Sequence, residues 1–373
     1  MVSLRTRWQE FRVSMGPRVK EWKFMLRRIR ETPLSLVGLA IVVFFVAIAA
    51  LAPILSPGDP SLNDPFLIPR DMEIAKLTPI PTPPTVGHIF GTTSGQYDLY
   101  HACIWGTISA FRISLLVIAI SLVIGLLVGT LAAYYGGLLD EALMRFTDIV
   151  IAFPSLILAM ALVIAFPTVI PVNLSLYIAI VAGLVFLISV ATRSNRRILL
   201  ISLGLSVAFV ASYLYFPFVL NLGLSRLDTV MISIILVGWP GYTRVIRGEV
   251  LRVKNEDFIE AAKASGSSDF RVMTRHILPN SIYPIIVMAT LDIGSIVLTA
   301  AALSFLGLGA PPNYADWGQI ISVSREWIAQ PSQLVSNYYT FLIPGLFIAF
   351  FVMGWNLLGD ALRDVLDPML RRR

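Results

Sequence analysis

Few residues in this sequence have the types and spacing that covalent or hydrolytic chemistry needs. His88, His101 and His276 are too scattered for a metal site, and the single cysteine, Cys103, excludes an internal disulfide and a cysteine-based metal centre. A phosphate-cradling loop places Gly directly before Lys, and none of Lys20, Lys23, Lys76, Lys254 and Lys263 follows a glycine. Neither His-Glu-x-x-His nor Gly-x-Ser-x-Gly occurs. The sequence therefore does not read as an enzyme, and any nucleotide chemistry belongs to another chain. One carboxylate, Asp292, sits inside a long apolar run. A charged side chain there is costly and faces protein or water, so it either lines a translocation path or hydrogen-bonds a neighbouring helix.

The most informative stretch, 253–279, is a polar excursion between two apolar runs. Asn255, Glu256 and Asp257 can cap and charge a helix start. Phe258, Ile259 and Ala262 give that helix, which carries Glu260-Ala261-Ala262, an apolar side. Gly266 suits the left-handed turn that ends it. Ser267 or Ser268 can then cap a second helix, 269–278, with Phe270, Met273 and Ile277 on one face, before Leu278-Pro279 leads into the next apolar run. By local physics alone this is a helix–turn–helix held against a membrane face, and an ordinary amphipathic interfacial loop would read the same way.

The membrane itself follows from composition. Of 373 residues, 56% are hydrophobic and only 14% charged, with a mean hydropathy of +0.77, where a soluble domain carries about 25% charged residues. Apolar runs long enough to cross about 30 Å of hydrocarbon recur, and they are continuous, not alternating, which argues for helices and against a barrel. Eight candidate spans are expected near 34–55, 113–134, 149–170, 173–191, 199–220, 228–245, 280–302 and 339–358. A basic tail with an interfacial helix (1–33) precedes them, and a Pro-rich extracytoplasmic loop (56–112) follows the first. Residues 113–373 then form a transport domain holding the excursion at 246–279.

With the N-terminus inside, 24 of the 29 Lys and Arg fall in cytoplasmic segments and five outside. That bias predicts a multi-pass protein of the cell membrane with both termini cytoplasmic. It also accounts for the net charge of +6 without nucleic acid as a partner. Arg112 reads as a snorkelling anchor, Glu141 and Arg145 as a solvated pair, and Trp317 and Trp327 as interface markers. Gly125-x-x-x-Gly129 permits a close helix approach, although the motif is common by chance.

Glu260-Ala261-Ala262, three residues, Gly266, eleven residues, then Leu278-Pro279 resembles the signature of ABC importer permeases. Motifs in matching order extend the resemblance over most of the chain. They include Arg27-Arg28-Ile29-Arg30, Gly136-Gly137 with Asp140, Ala152-Phe153-Pro154-Ser155 and Gly238-Trp239-Pro240-Gly241-Tyr242. Ser304-Phe305-Leu306-Gly307-Leu308-Gly309 and Asn356-Leu357-Leu358-Gly359-Asp360 complete the set. Together these look like the C-type permease of the dipeptide/oligopeptide/nickel group.

The resemblance implies an all-α, polytopic bundle with a six-span core. It makes the loop around Glu260–Gly266 the helix that docks on an ATPase. It implies a second related permease, two ATP-binding subunits, an extracytoplasmic solute-binding protein and surrounding lipid. This chain would hold no cofactor, with ATP and Mg on the partner ATPases. Three departures stand out: the outer run 91–98 fits loosely, Ala300 replaces a carboxylate frequent in the family, and 173–220 reads as an inserted two-span hairpin. Peptides are the cargo the group suggests, with sugars or nickel complexes as alternatives. A secondary, ion-coupled transporter is the rival class, for which no internal repeat is visible.

Overall fold

The computed structural model describes residues 32–366, except 79, 167–168, 174–179, 182, 188–189, 191–195 and 216–218. The basic tail through residue 31, the segment 191–195 between the two spans expected of the hairpin (with its Asn195), and residues 367–373 lie outside the described residues.

Helix α1 (Pro33–Leu55) is entered through Pro33 at its first turn, where a missing N–H costs nothing. After a loop holding the short α2 (Met72–Leu77), α3 (Leu99–Tyr135) runs 37 residues, about 55 Å at 1.5 Å per residue. Then follow α4 (Gly137–Ile151), α5 (Ser155–Ala165), β1 (Val169–Asn173), α6 (Arg196–Tyr215), β2 (Val219–Gly223) and α7 (Arg226–Lys254). The excursion contains α8 (Asp257–Ala264), α9 (Asp269–Arg271), a π-helical stretch (Val272–Ile277) and α10 (Leu278–Ser281). It leads into α11 (Tyr283–Phe305), α12 (Trp317–Val323), the turns Arg325–Ile328 and Pro331–Asn337, and α13 (Tyr339–Leu366). Among the described residues, five helices are long and apolar enough to cross a membrane, or six if α4 and α5 count as one bent span. The chain is thus a polytopic helical bundle.

Strands β1 and β2 stand where the ends of expected helical spans fall, at 169–173 and 219–223, and three further elements differ from the sequence expectation. The loop expected through Arg112 ends at Leu99, because Asp98 caps α3 by accepting from the His101 N–H at 2.7 Å and Leu99, Ala102 and Cys103 are wholly buried. The third span does not run straight through 149–170: α4 and α5 meet at 89° on either side of Pro154, whose ring cannot continue the helical hydrogen bonding. Trp317 is not an interface marker. It is 2% exposed, its Nε1–H donates to the Cys103 carbonyl at 3.0 Å, and Phe45, Phe347 and Phe351 pack edge-on or tilted around it.

The main helix crossing is that of α3 over α7, and Gly125 and Gly129 make it possible. A Cβ on Gly125 would lie 2.5 Å from the Tyr242 Cβ, and one on Gly129 would overlap Ile246 and sit 2.6 Å from the Thr243 carbonyl oxygen. The small-residue spacing that chance could explain in the sequence is therefore a contact face. Elsewhere the bundle exposes Phe44, Leu127, Ile157, Leu298 and other large apolar side chains, as a surface solvated by lipid would.

At the end of the bundle where α3 starts, the 56–98 loop is fixed by buried polar contacts. Gln96, fully buried, accepts from the hydroxyls of Thr82 and Thr92 and donates to the Ile80 carbonyl. His88 meets Asp98 at 2.7 Å, and Ile68 N donates to the Asn313 carbonyl at 2.8 Å. Arg112 lies 3.5 Å from Asp228 and is partly exposed. Glu141 and Arg145 face each other at 3.6 Å, both well exposed, a spacing that contributes little. The two strands bordering the extra segment pair antiparallel, Val169 opposite Gly223 through Asn173 opposite Val219, so the two ends of the segment lie side by side.

Candidate functional site: the two-helix loop and its mount

The loop lies at the opposite end, beneath the C-terminal ends of α3 and α7. Helix α8 closes in a Schellman arrangement. Gly266 takes φ +79°, its N–H reaches the Lys263 carbonyl at 2.9 Å, and the Ser267 N–H reaches that of Ala262 at 3.2 Å. Glu256 occupies the N-cap position with no side-chain bond to the backbone, and Ser268 does the same ahead of α9. The helix starts are therefore set by packing and first-turn charge (Asp257, Glu260 and Asp269), not by the serine and asparagine caps anticipated.

The faces sort differently from the expected stripes. Ile259 and Ala262 point into the bundle, but Phe258 is 44% exposed. In the second segment Val272, Met273 and Ile277 are buried while Phe270 is 73% exposed. The π-helical stretch explains this: a wider turn rotates the residues before it relative to those after it, so Phe270 leaves the face shared by Met273 and Ile277. Glu260, Ala261, Gly266 and Pro279 are exposed, Leu278 is half-buried, and Ala262 is the buried foot of its helix. A surface of apolar and mixed-charge residues thus projects beyond the bundle, with Phe258, Phe270, Glu260 and Lys263 outward.

Its mount is stiff. Ile259, Val272, Met273 and Ile277 join Ala133, Tyr134, Ile246, Val250, Val253 and Ile285 in one buried cluster. The Tyr134 hydroxyl donates to Asp269 at 2.5 Å, and Lys254 donates to the Tyr134 carbonyl at 2.6 Å while lying over that ring with Lys263. Arg247 grips Asp140 with two bonds of 2.7 Å, and Arg244 meets Asp148 at 2.6 Å. These pairs join α4 to α7, so α4, α7 and the loop form one block. Removing Asp140 leaves Arg247 without its fork partner. The Asp140→Ala variant should therefore lower the melting temperature of the detergent-solubilised protein by a few degrees, equivalent to about 1–2 kcal/mol. The exchange Asp140→Arg with Arg247→Asp should recover most of it, and a null effect of Asp140→Ala would show that the fork is not formed.

The cluster continues upward through Tyr242, whose hydroxyl donates to Asp292 at 2.7 Å. Asp292 thus does hydrogen-bond a neighbouring helix, and it also lines a cavity among α3, α5, α7 and α11. The sequence offered no sign of Tyr242 as its partner, because the two lie 50 residues apart and on different helices. No group of three or more His, Cys, Asp or Glu among the described residues is placed to hold a metal ion.

A polytopic bundle whose α7 and α11 are joined by an outward-facing helix–turn–helix has the architecture of a membrane transport subunit. Residues 121–372 match the family of binding-protein-dependent transport system inner membrane components, and the chain belongs to it. Residues 20–73 match the N-terminal TM domain of oligopeptide transport permease C, which places the chain among the C-type permeases of ABC importers. The chain is 31% identical to the dipeptide transport system permease protein DppC of Alkalihalophilus pseudofirmus, over 95% of this chain and 91% of that one. It is 30% identical to the probable D,D-dipeptide transport system permease protein DdpC of Escherichia coli (91% and 89%). It is 28% identical to the oligopeptide transport system permease protein OppC of Bacillus subtilis (94% and 90%).

Proposed function

We propose that this permease imports peptides across the cell membrane. It would be paired with a second related permease, driven by two ATPase subunits that hold ATP and Mg on the cytoplasmic side, and supplied by an extracytoplasmic solute-binding protein. The observation that carries the coupling role is the exposed surface of Glu260, Ala261 and Gly266, flanked by Phe258 and Phe270, on a base buried against α3 and α7. A surface of this kind supplies apolar anchors for a cleft, while the packed base transmits displacement instead of absorbing it. Leu278 and Pro279 carry the loop into α11 and so into the bundle.

In alternating access, closure of the ATPases around nucleotide moves the loop, and α7 and α11 rock with it. The driving force is the difference in nucleotide binding between the two states. The peptide cargo rests on the named relatives. Proteoliposomes holding the whole complex should accumulate a labelled dipeptide only with ATP inside and the binding protein outside. Accumulation driven by an ion gradient, with no ATPase subunits present, would overturn the reading.

Both termini and the Asn195 turn are assigned to the cytoplasm, with the insertion crossing the membrane twice and leaving the downstream orientation unchanged. The paired ends of that insertion support the assignment. Cys103 is fully buried, so the native chain offers no competing thiol. Asn195→Cys should escape an impermeant maleimide in intact cells and react after permeabilisation. Labelling in intact cells would reverse the assignment.

A further inference from the structure

The cavity among α3, α5, α7 and α11 has a volume of about 170 Å³ and is lined in part by Asp292, Ser295, Thr299, Tyr242, Ser121 and Ser155. That is room for about five waters, or for one terminal residue of a peptide, and too little for a whole peptide. Asp292, Ser295 and Thr299 recur at i, i+3 and i+7, which places a polar stripe on a mostly apolar α11. Ser295 is exposed, so the stripe reaches the bundle surface.

The polar groups here are incompletely used. One oxygen of Asp292 accepts from the Tyr242 hydroxyl at 2.7 Å, whereas the other has only Ser295 Oγ at 3.5 Å. Ser121 is 1% exposed, and its hydroxyl has no hydrogen-bond partner. No Lys, Arg or His is among the lining residues. A carboxylate at membrane depth normally has a countercharge, and an orphaned buried hydroxyl normally has a partner.

We propose that the countercharge comes from the cargo, and that Asp292, with Ser121 and Ser295 beside it, is the point at which the permease recognises the α-ammonium of a passing peptide. The inference rests on the peptide reading above and names a recognition step within it. Tyr242 orients the carboxylate from the same cluster that mounts the loop, so it is a positioning residue for this step.

Asp292→Asn keeps an oxygen that can accept from Tyr242 and removes only the charge. In proteoliposomes containing the complete importer, the probe is a labelled series from dialanine to pentaalanine. The Asn variant should accumulate these about ten-fold more slowly, the loss of one hydrogen bond to a charged group. ATP hydrolysis stimulated by the binding protein and the melting temperature should stay at wild-type values, and Asp292→Glu should restore most of the transport. Wild-type transport by Asp292→Asn would overturn the inference while leaving peptide import standing. So would parallel losses of transport, hydrolysis and melting temperature, which would mark Asp292 as purely structural. A wild-type importer that accumulates none of the alanine peptides would instead overturn the peptide reading, and this inference with it.

Discussion

Gly266→Val should cut recovery of the ATPase subunits with the tagged permease by about ten-fold, with a matching fall in stimulated ATP hydrolysis. Gly266 holds φ +79°, and a Cβ built on it would meet nothing within 4 Å in this chain. The cost is therefore conformational. A left-handed residue carrying a Cβ is disfavoured by about 1–2 kcal/mol, most strongly when β-branched, and about 1.4 kcal/mol is a factor of ten. Relaxing to negative φ would break the bonds from Gly266 and Ser267 to Lys263 and Ala262. It would also change the angle between α8 and α9, and with it the relative placement of Phe258 and Phe270.

Gly266→Asn distinguishes this from a steric effect, because asparagine tolerates the left-handed region. Backbone control predicts that Asn stays close to wild type. A clash with the docked ATPase predicts that Asn is as damaging as Val. Full recovery of the ATPases with Gly266→Val would remove the turn from the docking surface.

A larger effect on the fold itself is expected at the α3–α7 crossing. Gly129→Val should leave little folded protein in the membrane. Even Gly129→Ala should lower the melting temperature by several degrees, since overpacking a tight contact costs about 1–3 kcal/mol. The alanine Cβ would overlap Ile246 and press on the Thr243 carbonyl, which is backbone and cannot rotate away. Adding Ile246→Ala relieves the first contact but not the second, so rescue should be partial. Gly248 lies on the same α7 with nothing within 4 Å of its would-be Cβ, and Gly248→Ala should be silent or slightly stabilising. Equal melting temperatures for Gly129→Ala and Gly248→Ala would mean that the two helices do not meet at Gly129.

The two glycines also show how unevenly the structure could be read beforehand. Gly266 is legible because its reason is local: a polar helix start, a short apolar period and a glycine at the point of closure lie within a dozen residues. The apolar runs that become α1, α3, α7, α11 and α13 are legible for a similar reason, since length and hydropathy suffice to mark a span. Beyond the early start of α3 and the bend at Pro154, what differs is a matter of facing. In a bilayer both sides of a span are apolar, so periodicity carries little contrast between lipid-facing and buried residues. Trp317 resembled an interface anchor and is a core residue. Phe270 was grouped with Met273 until a π-helical stretch turned it outward.

The amino-acid order alone settled the class of molecule, the approximate positions of α1, α7, α11 and α13 and the glycine-closed turn of the loop, because each depends on forces acting over a turn or two of chain. The folded bundle added what no local pattern contains. It bent the third span at Pro154, set Gly125 and Gly129 against Tyr242 and Ile246, and brought Tyr242, Asp292 and Ser121 from three helices around one cavity. Those placements come from the fit of whole surfaces distant in sequence, where moving one side chain displaces several neighbours at once.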